Sequence, residues 1–303
     1  MMLNNGQFHI EAPQLVRKRE HDRYIFHPVS SFLLDNVDRL GGSFRIERSF
    51  KFTHKRLLCG RFIATVPLIH DSIEAVRAVL GVFEGLNLPA TAYSLFSKDI
   101  YKANKVHFGF EGDGEGGLLK VYLEYPYHHL EERKEPWELL VACKWDPVAP
   151  SKCAFTRYRG LPVYSPQEIE EIISAFFREV RFSSIRSFIS KVLFLCNRQS
   201  PDLKMWYLDV TEEGNPRHSF DFKTYRARLL MEHIIPLLPE LCDYYEIPFS
   251  SCEQYFVSIR NHKFGHVSCG TGRDGNFFIA IYHEAMGQDI TLEHDNLFTG
   301  NLL

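Results

Sequence analysis

Residues 43–66 read SFRIERSFKFTHKRLLCGRFIATV. In the first half, Phe44, Ile46, Phe50 and Phe52 fall on one side of a period-2 alternation, and Arg45, Glu47, Ser49 and Lys51 fall on the other. Such alternation is the signature of a strand with one apolar and one polar face. Thr53-His54-Lys55 breaks the pattern, and Arg56–Val66 resumes it. Two such runs across a short turn predict an antiparallel hairpin.

The same unit recurs along the chain. Lys105–Glu111 and Leu118–Tyr125 flank the acidic glycine loop GDGEGG. Further pairs are read at about Leu139–Trp145 and Lys152–Arg159 around DPVAP, and at about Lys191–Cys196 and Leu203–Val210 around NRQSPD. The last is read at about Lys263–Cys269 and Phe277–Tyr282 around GTGRDG. Helical spacing separates the pairs. Asp71–Glu84 carries Ile73, Val76, Val79, Leu80 and Phe83 on one stripe. Ser165–Val180 opens with SPQE, a capping box with Pro at the first helical position. Tyr225–Leu238 and a segment before Tyr255 complete the helical regions.

Five hairpins give ten antiparallel strands, so a doubly wound parallel sheet is disfavoured. Intervening helices can cover the apolar faces. The polar faces must meet water or each other. Two architectures satisfy this: a closed ten-stranded barrel with helices outside and a wet lumen, or two open α/β sandwiches with a solvated charged face.

Composition narrows the function. The chain has 303 residues, with 45% hydrophobic and 24% charged. This is the balance of a soluble globular protein, which excludes a disordered, collagen-like or polytopic membrane chain. Lys plus Arg total 35 against 38 Asp plus Glu, a net charge of −3 that argues against a nucleic-acid partner. Seven scattered cysteines, with no CxxC pair, suit free thiols in a reducing compartment and do not suit a zinc site. The first 22 residues, MMLNNGQFHIEAPQLVRKREHD, lack the apolar core of a secretory signal and read as a flexible lead-in. No apolar run approaches membrane-spanning length, so a cytoplasmic protein without a membrane partner is expected.

Several motifs mislead. Gly270, Gly272 and Gly275 spell GxGxxG, but the strand-like NFFIAIY follows where a dinucleotide site needs a helix; a hairpin turn is the better reading. EGDGEGG lacks calcium-loop spacing, and His128-His129 lacks a spaced third ligand. The polar strand faces are more informative. Arg61, Lys120 and Lys204 each stand alone in an apolar strand-like run. A long cation in mid-strand needs a partner or a wet cavity, and several converging in one lumen would hold a strongly anionic group such as a diphosphate. Tyr122, Tyr158, Tyr207 and Tyr282 recur on the same kind of strand, and aromatic faces can stabilise a carbocation.

With these residues in place, the chain resembles the cyanobactin-type peptide prenyltransferases of the ABBA, or PT-barrel, superfamily. The resemblance runs from about Phe26 to Tyr282 and rests on FHPVSSFLLDNVDRLGGSFRIERSFKF, RLLCGRFIATV and GLLKVYLEY. VLFLCNRQSPDLKMWYL and NFFIAIYHE agree in layout. The resemblance implies an α+β fold, a single ten-stranded antiparallel barrel domain surrounded by helices, spanning 1–303. It implies transfer of a dimethylallyl or geranyl group from its diphosphate to a peptide side chain, with Mg²⁺ accompanying the diphosphate. Glu47 matches the family's acid/base glutamate, Arg61 and Lys120 its diphosphate-binding cations. Lys204 is a further diphosphate candidate, and Tyr122, Tyr158, Tyr207 and Tyr282 are candidates to shield the cation. Lys204 and Tyr207 have opposite strand parity, so both can face the lumen only across a bulge.

Glu124 departs from the pattern, standing where a basic residue is expected. Glu111 and Asp209 are further carboxylates that could face inward. Extra carboxylates suit a cationic acceptor, so the expected acceptor is an arginine guanidinium, otherwise Tyr or Trp; the bland alternative is that Glu124 pairs with a neighbouring cation. A small-molecule aromatic prenyltransferase and a non-enzymatic lipid- or peptide-binding barrel are the other readings. The discriminator is whether Glu47 and the cations converge.

Overall fold

The alternating segments pair as strands, and the sheet they make closes. The computed structural model describes residues 27–40, 44–68, 72–112, 116–126, 135–161, 164–177, 182–212, 214–215 and 217–284. The N-terminal lead-in, His128-His129 and the middle of the acidic glycine loop lie outside the described residues. Ten strands form the sheet: β1 (Arg45–Thr53), β2 (Arg56–Pro67), β3 (Lys105–Gly112), β4 (Gly117–Glu124), β5 (Trp137–Asp146), β6 (Ala149–Gly160), β7 (Tyr207–Glu212), β8 (His218–Lys223), β9 (Lys263–Thr271) and β10 (Phe277–Glu284). Each strand pairs antiparallel with its sequence neighbours, and β10 pairs with β1 from Phe52↔Ile279 to Arg48↔His283. Closure leaves no sheet edge. It decides the choice between barrel and sandwiches in favour of the barrel.

Among the described residues, eight α-helices surround it: α1 (Pro28–Asp38), α2 (Ile73–Gly85), α3 (Ala90–Asp99), α4 (Pro166–Phe176), α5 (Ser183–Gln199), α6 (Met231–Ile234), α7 (Leu238–Tyr244) and α8 (Phe249–Ser258). The SPQE capping box is formed, with Ser165 and Glu168 satisfying each other's backbone N–H groups at the start of α4. The outward strand faces bury against the helices in two blocks. Phe62, Phe108 and Phe110 pack with α1–α3; Phe50, Phe52, Phe220, Phe222 and Phe264 pack with α4–α8. Most of the strand phenylalanines are thus spent on the joint between barrel and helices. Among the described residues no helix is long and apolar enough to cross a membrane.

One hairpin departs from the sequence reading. Lys191–Cys196 is not a strand but part of α5. Its KVLFLC run is too short to show its period. Over the whole helix, Ile185, Phe188, Ile189, Val192, Leu193 and Cys196 are buried at steps of three and four. The fourth hairpin instead pairs Tyr207–Glu212 with His218–Lys223. The expected helix over Tyr225–Leu238 is also broken. It consists of two 3₁₀ turns, the four-residue α6 and a left-handed Arg228.

Candidate functional site

Inside the barrel, five neighbouring strands each supply one charged side chain to the same place. Arg61 of β2 is directly opposite Glu111 of β3, and Lys120 of β4 is directly opposite Lys144 of β5. Lys51 of β1 joins them. The Glu111 carboxylate lies 2.6 Å from Lys120 Nζ, 3.1 Å from Lys144 Nζ, 3.7 Å from Arg61 Nη2 and 4.0 Å from Lys51 Nζ. Gly109, paired with Lys120, makes room: a Cβ there would stand 3.2 Å from the Lys120 Cβ.

One carboxylate cannot neutralise four cations. Burial opposes the Glu111 charge, yet the surrounding cations outweigh it and hold the carboxyl well below its usual range. Burial also pushes Lys51 down to about 8 and Lys120 well below the ordinary lysine value, with Glu111 resisting and the neighbouring cations adding to the effect. Burial works against the Arg61 charge too, but Glu111 keeps it cationic. Nε and Nη1 of Arg61 are buried with no hydrogen-bond partner among the described residues. Unused donors on a buried guanidinium are costly unless an anion arrives to take them.

These groups line a cavity of about 220 Å³ with Tyr122, Tyr158, Tyr282, Thr156, Asp221 and Phe278. The Tyr122 and Tyr158 ring centroids are 5.9 Å apart, and the Arg61 guanidinium lies 5.9 Å from the Tyr282 ring centroid. Burial raises the hydroxyls of all three tyrosines, so they stay neutral phenols. Phe278 stands with Lys51 Nζ 4.4 Å and the Arg217 guanidinium carbon 5.9 Å from its ring centroid. Arg217 and Arg273 also line the cavity and bind Glu212, Arg273 Nε at 2.6 Å and Arg217 Nη1 at 3.5 Å.

A second cluster lies beyond Tyr282. Glu47 Oε1 accepts a hydrogen bond from the Tyr225 hydroxyl and is 3.1 Å from His266 Nδ1. His266 stacks on Tyr282 at 3.8 Å, and its Nε2 lies 3.6 Å from Asp221 Oδ1. Glu47 therefore meets the cavity through His266 rather than by lining it. Gly265 permits this contact, since a Cβ there would come within 2.8 Å of Glu47 Oε1 and 2.9 Å of the Tyr225 ring. Burial disfavours the Glu47 charge, but His266, Lys223 and the Tyr225 hydrogen bond prevail and bring its carboxyl to about 2. Asp221 goes the other way: burial raises its carboxyl, with only partial relief from His266.

The expected site residues are thus divided. Arg61, Lys120, Tyr122, Tyr158 and Tyr282 share the cavity, and Glu47 is one imidazole away. Lys204 does not join them. It precedes β7, its side chain is 52% exposed, and it lies 3.6 Å from Glu168 on the outer surface. Tyr207 is in β7 but faces the helices, stacked on Phe220 at 5.6 Å. Asp209 shares that outward parity and bonds His218 at 2.8 Å. All three expectations rested on the misread fourth hairpin. Glu124 bonds Lys105 at 3.0 Å and His107 at 2.9 Å and does not line the cavity; this is the bland alternative, pairing with neighbours.

Lys51, Lys144, Asp221, Tyr225 and His266 were not singled out from sequence. Lys144 carries the same signal as Arg61, a lone cation in the apolar run VACKW. Asp221 is equally plain in HSFDFK once that segment is read as a strand. Tyr225 lies in a 3₁₀ turn and carries no periodic signal.

A protein-held magnesium ion does not fit this cavity. Its central carboxylate, Glu111, is already engaged by four cations, and among the described residues no three His, Cys, Asp or Glu side chains group to hold a metal ion. An ion delivered on the diphosphate would belong to the substrate.

No protein-family model and no curated protein sequence matches the chain. Solved structures do match in fold. The 5-dimethylallyl tryptophan synthase of Streptomyces coelicolor, in complex with DMASPP and Trp, aligns with a TM-score of 0.57 at 9% identity, covering 87% of this chain and 90% of that one. The prenyltransferase PriB, in a ternary complex with L-tryptophan and dimethylallyl thiolodiphosphate, aligns at 0.55 and 8% identity, covering 87% and 92%. AnaPT from Neosartorya fischeri aligns at 0.51 and 9%, covering 80% and 78%. At these identities the likeness is one of fold: the chain has the helix-wrapped, ten-stranded barrel of these prenyltransferases.

Proposed function

We propose that this protein is a prenyltransferase that moves a dimethylallyl group from its diphosphate to a peptide side chain. One observation carries the reading. Four cations, buried Arg61 and half-buried Lys51, Lys120 and Lys144, converge at the same cavity as three neutral tyrosines, inside a closed barrel. A diphosphate needs the first and an allyl cation needs the second. The fold of the matched structures supports the same reaction class. The small, tyrosine-walled cavity favours the five-carbon donor over geranyl.

Lys51, Arg61, Lys120 and Lys144 hold the diphosphate. The C1–O bond of the donor breaks with its electron pair going to the diphosphate, whose growing charge the cations stabilise. Tyr122, Tyr158 and Tyr282 enclose the allyl cation and exclude water. A nucleophilic atom of the acceptor forms the new bond to the allyl carbon. Glu47 takes the proton released, with Tyr225 and His266 fixing its orientation. Proximity lets a weak nucleophile react.

For the acceptor we favour an arginine guanidinium. Glu124 is paired with its neighbours, and Asp221 is the carboxylate that supports the choice: its Oδ1 is buried at the cavity wall, near Glu47, with no hydrogen-bond partner among the described residues. A fork of N–H donors would satisfy it. A second reading has a specific basis. Two of the matched structures contain tryptophan with a dimethylallyl donor analogue, which favours a small aromatic acceptor in this barrel class. Incubation with dimethylallyl diphosphate and short peptides differing only in Arg, Tyr or Trp, beside free tryptophan, separates the two by product mass. A mass gain on the Arg peptide is expected. Modification of free tryptophan alone would replace the peptide reading, and no transfer to any acceptor would leave a binding barrel.

A further inference from the structure

Among the carboxylates that line the cavity, Glu111 is the one in contact with all four cations, and its charge opposes the task proposed for them. A carboxylate at the centre of a diphosphate site repels the ligand. Its geometry nevertheless touches every cation of the cluster: Lys120 at 2.6 Å, Lys144 at 3.1 Å, Arg61 at 3.7 Å and Lys51 at 4.0 Å. The cluster without it would place four like charges together in a buried space, which folds poorly. With it, the basic side chains still outnumber the one carboxylate they share. A prenyl diphosphate carries up to about three negative charges when ionised. A diphosphate beside Glu111 therefore compensates the cluster further than Glu111 alone can. The unused Arg61 Nε and Nη1 mark where further acceptor oxygens are needed. Burial first, and the neighbouring cations after it, depress Lys51 and Lys120 even with Glu111 beside them.

Resting on the donor reading above, we propose that Glu111 is a built-in counter-ion of the diphosphate site. It holds the four cations in place while the site is empty. It yields part of their hydrogen bonding when the donor binds, and it speeds departure of pyrophosphate by repelling it. Glu111 forms and breaks no covalent bond in this role. It sets the affinity of the site for the donor and for the product.

The test is binding of inorganic pyrophosphate to the full-length protein by calorimetry, in native form and as Glu111→Gln. The native protein binds pyrophosphate, and the variant is expected to bind it at least about tenfold tighter. In turnover with dimethylallyl diphosphate the variant should show a lower KM together with a lower kcat and stronger inhibition by added pyrophosphate. Equal or weaker binding by the variant overturns the proposal, because a carboxylate that only scaffolds the lysines would loosen the site on removal. Thermal unfolding keeps the test decisive if the variant is unstable. Pyrophosphate should raise its midpoint more than the native midpoint, and sodium chloride of equal ionic strength should not; equal stabilisation of both proteins again overturns the proposal. A native protein that binds no pyrophosphate sinks the donor reading itself, a result distinct from either outcome with the variant.

Discussion

Glu111 and Glu47 are both half-buried glutamates inside the same barrel, and both are ionised, yet their surroundings are opposite. Glu111 sits among four lysine and arginine side chains and leaves positive charge over. Glu47 sits among a tyrosine hydroxyl, an imidazole and a second carboxylate, Asp221, that shares the imidazole. The first region can hold an anion, and its carboxylate is already engaged by four basic side chains. The second cannot hold a diphosphate but has proton-bearing partners. The stacked pair Tyr282 and His266, 3.8 Å apart, connects the two. In the proposed transfer, the leaving group and the released proton would thus be handled at two neighbouring places, the cavity and the cluster behind Tyr282.

The substitution with the largest expected effect tests that separation directly. Glu47→Gln keeps the shape and removes the base, so turnover should fall by about 10²- to 10⁴-fold while pyrophosphate affinity stays unchanged. A parallel loss of pyrophosphate binding would merge the two regions into one. Lys120→Met is the mirror experiment. Losing a charge-assisted hydrogen bond should weaken pyrophosphate binding by about 10- to 100-fold, measured by calorimetry.

A smaller effect comes from His266→Asn. After the opposing effect of burial, His266 is the first of the groups that bring Glu47 to about 2. A base works only when ionised, so activity is lost as pH falls through its pKa. Without His266 the acid limb of the kcat/KM profile should move up by at least about one pH unit. The same shift enters stability. A carboxyl lowered from 4.5 to about 2 contributes stabilisation that is full above pH 4.5 and lost as pH falls towards 2. The thermal midpoint of the variant should therefore fall less steeply than the native midpoint over that window. The smallest effect is expected at Lys204. Lys204→Ala removes only an exposed contact with Glu168, so pyrophosphate affinity should not move and stability should change by less than about 0.5 kcal/mol.

What could be read in advance differs along the chain for a physical reason. The first two hairpins announce themselves because their strands have one apolar and one polar face, and the polar face presents Glu47, Lys51, Arg61, Glu111 and Lys120 to the lumen. The fourth hairpin hides because the strongly apolar KVLFLC beside it invites a strand reading. Period 2 and period 3.6 cannot be told apart in six residues. A strand reading there leaves no place for the true strand His218–Lys223 and its Asp221, and neither Lys204 nor Tyr207 has the inward face expected of it.

From the sequence alone came the antiparallel hairpins, the division of strand faces, and the identity of Glu47, Arg61, Lys120, Tyr122, Tyr158 and Tyr282 as inward-facing candidates. Local periodicity carries that information, because each strand records which of its sides meets apolar neighbours. Closure of β10 onto β1, the meeting of four cations on one carboxylate, and the junction of Glu47 with His266 and Tyr225 were decided only by tertiary structure. Glu47 and Tyr225 are 178 positions apart in the chain. No local pattern can encode a contact at that distance; it exists because the barrel closes.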